Sequence, residues 1–207
     1  MKLPALLANF KEWTVLGPMG PEVPNHLSSY PLLCVDGGAH FCNKMDVWIG
    51  DGDSFKEIVN CANIYRLPQD KSVSDFALAL SLFDSGSMVL HCWGFLGGRM
   101  DHEILNLGAA LSYLDNGLGS EINFYKRNEK IAVKCVAAGE WPMNYQGTFS
   151  LVCVKNTKIK ILGSCQYTLE QETELSPLSS LGLSNVAQGQ FTLLNQGPLL
   201  IIFPESD

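Results

Sequence analysis

The hydrophobic pattern of this 207-residue chain changes once, near residue 128, and that change limits the folds available to it. Before it, short apolar runs typical of buried strands alternate with segments whose apolar residues recur at helical spacing. This alternation predicts an α/β domain with a doubly wound, mainly parallel sheet. After it, strand-like runs follow one another without an amphipathic helix, which predicts a small antiparallel β-sandwich. We therefore expect two directly abutted domains, at residues 1–127 and 128–207.

The individual elements follow from the same patterns. In the first domain, the predicted strands are Trp13–Leu16, Leu32–Val35, Val47–Ile49, Ile64–Leu67, Met88–Trp93 and Ile122–Tyr125. In the second, they are Ile131–Val136, Phe149–Val154, Ile159–Leu162, Tyr167–Glu170, Phe191–Leu194 and Leu199–Phe203. Apolar residues at helical spacing predict one helix around residues 76–83 and another around residues 104–114.

Composition excludes several classes of function. The formal net charge is −7, and no basic run is interleaved with aromatic residues, so we expect no nucleic-acid partner. No apolar stretch approaches the roughly 20 residues that span a bilayer, so we expect no membrane insertion. Residues 1–10 lack the features of a signal peptide, and the seven cysteines contain no Cys-x-x-Cys pair. We interpret these cysteines as buried thiols in a reducing compartment and predict a cytoplasmic location.

Acidic residues and glycines follow the third predicted strand, in the string Ile-Gly-Asp-Gly-Asp-Ser at residues 49–54. Asp51 and Asp53 are two residues apart, so both would face the same side of an extended strand end. Two carboxylates on one side suit Mg²⁺, which prefers oxygen ligands and shares them with phosphates. The alternative is an ordinary polar turn, in which aspartate and glycine are also common.

Three more polar loops follow predicted strands: Asp36-Gly37-Gly38-Ala39, Asp70 to Asp75, and Gly94 to His102. Ligands bind at such strand ends in open α/β sheets, so we expect these loops to meet at one edge. Asp75 is either a third carboxylate for a metal ion or a residue that favours the start of a helix, with Ser74 or Ser72 as its N-cap.

The loop after the fifth predicted strand contains Gly-Gly-Arg-Met-Asp-His at residues 97–102. Gly97, Gly98 and Arg99 can offer backbone N–H groups and a guanidinium to a phosphate. Asp101 and His102 begin the next helix, where Asp101 could simply cap it and His102 could simply bridge loops. The chain has neither a Walker lysine loop nor Gly-x-Gly-x-x-Gly, which argues against P-loop and dinucleotide-binding proteins. It also lacks the Gly-x-Ser-x-Gly elbow of serine hydrolases.

Taken in order, these strings resemble the thiamine pyrophosphokinase (thiamine diphosphokinase) family. The resemblance covers Asp36–Ala39, Ile49–Ser54, Ser74–Phe76 with Ala79 and Leu80, Gly97–His102 with Asn106, and Gly182–Asn185. The chain departs from the family's pattern at Gly52, Ser72, Ser74 and Leu178, the last of which stands where glycine is common.

The resemblance implies the family's fold, an α/β domain followed by a β-sandwich, and a homodimer with thiamine held between subunits. It implies transfer of pyrophosphate from ATP to the hydroxyl of thiamine, giving thiamine diphosphate and AMP. The implied Mg²⁺ ligands are Asp51, Asp53 and Asp75. The implied nucleotide and phosphate pocket contains Asp36, Gly37, Gly38, Asp70, Gly97, Gly98, Arg99, Asp101 and His102.

The resemblance also implies that Tyr167 packs on thiamine and that Ser184 and Asn185 bond its aminopyrimidine. Tyr167 could equally be a half-exposed strand tyrosine. Asp101 and Asp75 are the candidates to accept the hydroxyl proton, and Arg99 would neutralise developing charge. The alternatives are a catalytically weakened module that binds nucleotide or thiamine, and a related Mg²⁺-dependent transferase acting on another heterocyclic alcohol.

Overall fold

A computed structural model describes residues 2–20, 23–53, 61–83, 87–126 and 129–204. Its strands form one continuous mixed sheet. The strands are β1 (Glu12–Leu16), β2 (Leu32–Val35), β3 (Met45–Gly50), β4 (Cys61–Arg66), β5 (Val89–Trp93), β6 (Glu121–Tyr125), β7 (Ile131–Val136), β8 (Gly139–Val152), β9 (Thr157–Cys165), β10 (Leu169–Leu175), β11 (Asn185–Asn195) and β12 (Leu199–Ile202). The helices are α1 (Asp75–Leu80) and α2 (Met100–Asp115), with 3₁₀ helices at Asp36–Phe41 and Ser180–Gly182.

The sheet is parallel in one half and antiparallel in the other. The parallel half has the order β4-β3-β2-β1-β5-β6, with every neighbouring pair parallel. The antiparallel pair β6–β7 joins it to the order β7-β12-β8-β11-β9-β10. The predicted change from parallel to antiparallel pairing is therefore confirmed. Double winding, the sandwich and the two separate domains stay predictions, and the proposed boundary at residues 127 and 128 lies outside the described residues.

Side chains of β1, β2, β3, β5 and β6 are buried on both faces of the sheet, whereas the edge strand β4 alternates between half-buried and exposed residues. Trp13 and Val15 on β1 join the larger apolar cluster, which includes α1 and α2, whereas Leu16 packs in a second cluster on the opposite side. Leu27 and the half-buried Tyr30 belong to that second cluster. Strands that are buried on both faces have continuous runs of apolar residues, which is why the sequence predicted their positions.

Only β2 and β7 have their predicted bounds; the other elements begin or end at different residues, and two strands show why. The prediction at Phe149–Val154 captured only the end of β8, because residues 139–146 alternate between exposed and half-buried and include Pro142. The strand predicted at Tyr167–Glu170 begins instead at Leu169, since a side chain rather than a neighbouring strand holds the backbone of Tyr167. Both differences arise where polar residues interrupt the apolar pattern.

The order of the parallel strands reverses between β1 and β5. The chain runs outward from β1 to β4 on one side and continues with β5 and β6 on the other, so β1 and β5 flank the point where the order reverses. Ligands of open α/β sheets bind at this kind of switch point. Within the described residues, neither helix is long and apolar enough to cross a membrane.

Candidate active site

Three carboxylates from two neighbouring strand ends converge at this edge. Asp36 follows β2, while Asp51 and Asp53 follow β3, and one oxygen of each lies within 4.8 Å of the others. Asp36 and Asp51 are half-buried and Asp53 is exposed. The sequence predicted the pair Asp51 and Asp53 as metal ligands but assigned Asp36 to the nucleotide. The structure therefore adds Asp36 to this pair.

The local backbone fixes the position of Asp36. Asp36 has a φ of +45°, in the left-handed region, and begins the first 3₁₀ helix. Trp48 donates its Nε1–H to the Asp36 carbonyl at 3.1 Å, and a Cβ on Gly50 would lie 2.9 Å from the Asp36 Cα. The Asp36 Oδ1 atom is buried without a hydrogen-bond partner. A buried, unpartnered carboxylate oxygen is costly unless a cation or donor joins it.

Lys71 links Asp51 to Asp75. Its Nζ lies 2.7 Å from Asp51 Oδ2 and 3.3 Å from Asp75 Oδ1, and the side chain is only 12% exposed. The hydrogen bond from Lys71 lowers the pKa of Asp51, and the backbone N–H of Asp53 contributes in the same direction. Sequence reasoning did not single out Lys71. Lys71 lies four residues before Asp75, a spacing that favours an ion pair within a helix. The sequence predicted a loop there, and in a loop this spacing does not predict a contact.

Asp75 is the first residue of α1. Ser74 caps this helix, because its Oγ accepts the N–H of Ala77 at 3.2 Å. This confirms one of the two predicted N-caps. Burial raises the pKa of Asp75, and the charge of Lys71 offsets part of the rise. Asp75 shares Lys71 with Asp51 but is not one of the three carboxylates whose oxygens lie within 4.8 Å of one another, so its role as a metal ligand stays a prediction.

The Gly97-Gly98 turn already binds an anion of this chain. The N–H groups of Gly97 and Gly98 donate to Glu103 Oε1 at 2.8 and 2.9 Å. The predicted role of these groups in holding phosphate therefore requires Glu103 to move or to share them. Arg99 and Asp101 form an exposed pair with contacts of 2.6 and 3.1 Å, and hydrogen bonding by Arg99 lowers the pKa of Asp101 to about 2.

Glycines allow the loops at the switch point to approach closely. A Cβ on Gly38 would lie 2.2 Å from the Leu16 carbonyl oxygen, and one on Gly94 would lie 2.3 Å from the Gly20 nitrogen. These distances bring the loops after β1, β2 and β5 together, and the loops after β2 and β5 are two of the four predicted to meet at one edge. Gly37 is buried beside Gly38, whereas Asp70 and His102 are exposed.

The residues predicted to bind thiamine form a separate group in the antiparallel half. Tyr167 is 59% exposed. The buried Asn185 accepts the Tyr167 N–H at 3.1 Å through Oδ1 and donates from Nδ2 to the Tyr167 carbonyl at 2.7 Å. Asn185 Oδ1 also accepts the N–H of Val186 at 2.8 Å. Asn185 thus holds the backbone of Tyr167 in place.

Strained backbone marks the loop that precedes β11. Ser184 is exposed with a φ of +54°, and its N–H donates to Ser150 Oγ at 3.0 Å. Leu178 has a φ of +53°, a conformation that favours glycine, at the position where the resembling family commonly has one. Non-glycine residues held in the left-handed region store backbone strain, and such residues are concentrated at functional sites.

Comparison with known proteins finds one matching family model and a set of solved structures with a similar fold. Residues 27–121 match the family model described as thiamin pyrophosphokinase, catalytic domain, which confirms the resemblance found in the sequence. The match contains the clustered carboxylates, Lys71, Asp75 and the Gly-Gly-Arg turn, but not Tyr167, Ser184 or Asn185. No curated protein sequence matches the chain.

Three solved structures show how far the fold similarity extends. Thiamine pyrophosphokinase from Bacillus subtilis aligns with a TM-score of 0.74 and 18% identity over 95% of this chain and 100% of that chain. The Geobacillus thermodenitrificans protein aligns with a TM-score of 0.69 and 21% identity over 95% of this chain and 98% of that chain. The yeast protein aligns with a TM-score of 0.63 and 14% identity over 98% of this chain and 90% of that chain. These likenesses establish the fold across nearly the whole chain.

Proposed function

We propose that this chain, whose residues 27–121 match the family model described as thiamin pyrophosphokinase, catalytic domain, transfers pyrophosphate from ATP to the hydroxyl of thiamine, giving thiamine diphosphate and AMP. The observation that carries the proposal is the cluster of Asp36, Asp51 and Asp53 at the ends of β2 and β3, within the matched region. Transfer of phosphoryl groups depends mainly on positioning and on neutralising charge, which such a cluster supports.

The clustered carboxylates fit a magnesium ion. They offer hard oxygen ligands, and the buried Asp36 Oδ1 lacks a partner that a cation would supply. Asp36, Asp51 and Asp53 would hold the ion, and Asp75 would support them from the other side of Lys71. When bound, Mg²⁺ would neutralise charge on the ATP phosphates.

The remaining residues of the edge would hold the nucleotide and prepare the reaction. Arg99 is exposed and carries a guanidinium suited to phosphate oxygens, and the Gly97-Gly98 turn is already shaped for an anion. Of the two candidate proton acceptors, Asp101 is the weaker base, because Arg99 holds its pKa at about 2. Asp75, whose pKa burial raises, is the better candidate to take the proton of the thiamine hydroxyl.

Tyr167 would supply an aromatic face for thiamine. Its side chain is exposed, and Asn185 fixes its backbone, so the ring is presented from an anchored position. Aromatic faces attract electron-poor and cationic rings such as those of thiamine. Ser184 would add a hydrogen bond next to Tyr167, while the described contacts of Asn185 favour a supporting role.

A homodimer would bring the two groups of residues together. Seven strands lie between β3, which precedes Asp51, and β11, which begins at Asn185. Eight inter-strand steps of about 4.8 Å separate them by roughly 40 Å along the sheet. Exposed apolar side chains near each group suit burial against a second copy: Met100, Ile104 and Leu105 on α2, and Leu178, Leu181 and Leu183 before β11. The seven free thiols are consistent with the proposed cytoplasmic location.

The proposal is tested by incubating purified protein with Mg²⁺, ATP and thiamine and measuring AMP and thiamine diphosphate together. Equal amounts of the two products are expected. Saturable thiamine binding without turnover would instead identify a binding module. Turnover of a different heterocyclic alcohol, with none of thiamine, would identify a related transferase.

Tyr167→Ala is expected to raise the KM for thiamine by about tenfold while changing the KM for ATP less than twofold, because loss of a cation–π or stacking contact removes roughly 1–2 kcal/mol of binding. Steady-state kinetics with each substrate varied in turn measures both values. Tyr167→Phe is the matched control and should remain close to the unchanged protein. Equal effects of Tyr167→Ala on both substrates would show that Tyr167 only supports the fold.

A further inference from the structure

Lys71 is a largely buried cation that pairs with two aspartates of the candidate active site. It lies in the loop after β4 and makes an ion pair at 2.7 Å with Asp51, which follows β3, and one at 3.3 Å with Asp75, which begins α1. All three side chains are largely buried, with exposed fractions of 12%, 11% and 21%. The ammonium therefore connects two separate elements at the candidate active site.

The charges around Lys71 explain why a cation is needed there. Asp36, Asp51 and Asp53 place three carboxylates within 4.8 Å, and Asp75 adds a fourth on the far side of Lys71. Carboxylates at such separations repel one another strongly in a partly buried site. Burial acts to lower the pKa of Lys71, but the hydrogen bond to Asp51 and the charge of Asp75 outweigh it and raise the pKa. The ammonium of Lys71 is therefore the positive charge that lies between Asp51 and Asp75.

We propose that Lys71 stands in for a divalent cation at Asp51 when none is bound, and that it positions Asp51 and Asp75 for catalysis. The inference rests on the proposed function for its catalytic part only. Lys71 donates to Asp51 Oδ2, and Asp51 is one of the three carboxylates that would hold a metal ion, so the ammonium and the ion compete for this side chain. On release from Asp51, the ammonium is free to bind the anionic phosphates of the nucleotide.

The sign of the effect on metal affinity distinguishes this role from a purely structural ion pair. If Lys71 competes with the metal ion, its removal makes metal binding tighter, because a positive charge next to the ligands is lost. If Lys71 serves only the fold, its removal lowers stability and leaves metal affinity unchanged or weaker. Turnover would fall in both cases and so does not decide between them.

The test measures Mn²⁺ binding to the full chain by electron paramagnetic resonance, without nucleotide or thiamine. Lys71→Met is expected to bind Mn²⁺ at least tenfold more tightly than the unchanged protein, and Lys71→Arg, which keeps the charge, within about threefold of it. Lys158→Met is the matched control, because Lys158 and its partner Glu172 are exposed residues of the antiparallel half. It should leave Mn²⁺ affinity unchanged.

Unchanged or weaker Mn²⁺ binding by Lys71→Met would overturn the proposal. Lys71→Gln serves as a second neutral variant if Lys71→Met does not fold, and it too must bind Mn²⁺ more tightly than the unchanged protein. For the positioning role, kcat with Mg²⁺, ATP and thiamine should fall at least tenfold in Lys71→Met and recover in part in Lys71→Arg. Because Mn²⁺ binding needs no substrate, failure of the chain to use thiamine would remove the proposed function and leave the metal result intact.

Discussion

Replacing Asp53 by alanine is expected to reduce kcat for thiamine diphosphate formation by roughly 10³-fold, since a metal ion that neutralises phosphate charge contributes several kcal/mol to the transition state. Asp53 lies within 4.8 Å of Asp36 and Asp51 and is exposed, so its loss removes a proposed ligand without opening a cavity in the core. The free energy of unfolding should change by only about 0.5 kcal/mol. Steady-state kinetics and urea unfolding of the same preparation measure the two quantities.

Asp115→Ala provides the control for Asp53→Ala. Asp115 ends α2 and pairs with Lys155, so the variant removes the same charge outside the carboxylate cluster. It should retain nearly full kcat. Full activity in Asp53→Ala would exclude Asp53 as a metal ligand and would reduce the proposed set to Asp36 and Asp51.

Gly38→Ala is expected to lower the free energy of unfolding by about 1–3 kcal/mol, because the added methyl group has no space. An ideal Cβ at this position lies 2.2 Å from the oxygen and 2.8 Å from the carbon of the Leu16 carbonyl, and both are backbone atoms. Relief requires the end of β1 or the 3₁₀ helix that begins at Asp36 to shift. Urea unfolding measures the loss, and weaker Mn²⁺ binding would report displacement of Asp36.

Gly108→Ala is the matched control and has the opposite expected sign. Gly108 lies within α2, and a Cβ there would meet nothing within 4 Å. Alanine is favoured over glycine in helix interiors by about 1 kcal/mol, so this variant should be more stable. Equal stability of Gly38→Ala and the unchanged protein would show that the loops at the switch point are less closely packed than the structure indicates.

The sequence predicted those parts of the fold and site that depend on local pattern. Buried parallel strands such as Leu32–Val35 have continuous apolar runs, and this strand was predicted with its observed bounds. Asp51 and Asp53 were predicted as a pair because acidic residues that alternate with glycines directly after a buried strand are typical of a ligand-binding loop. Ser74 and Ser72 were both predicted as possible N-caps from their position before the apolar spacing of α1, and Ser74 is the one that caps it.

The remaining features depend on contacts between residues distant in sequence. The ion pair between Lys71 and Asp51 spans 20 residues, and Asp36 meets Asp53 only because β2 and β3 are neighbours. Glu103 was not singled out in the sequence, yet it accepts hydrogen bonds from the Gly97-Gly98 turn. Asn185 was predicted to contact ligand, whereas its described bonds hold the backbone of Tyr167. In each case the residue's role depends on the packing of elements rather than on its neighbours in sequence.

The most direct test of the proposed reaction is a single turnover with thiamine, Mg²⁺ and ATP labelled on the β-phosphorus, with every phosphorylated product separated and counted. Transfer of pyrophosphate predicts that all transferred label appears in thiamine diphosphate, with unlabelled AMP formed in equal amount. Labelled ADP together with unlabelled thiamine monophosphate would show ordinary transfer of the terminal phosphate and would contradict the account.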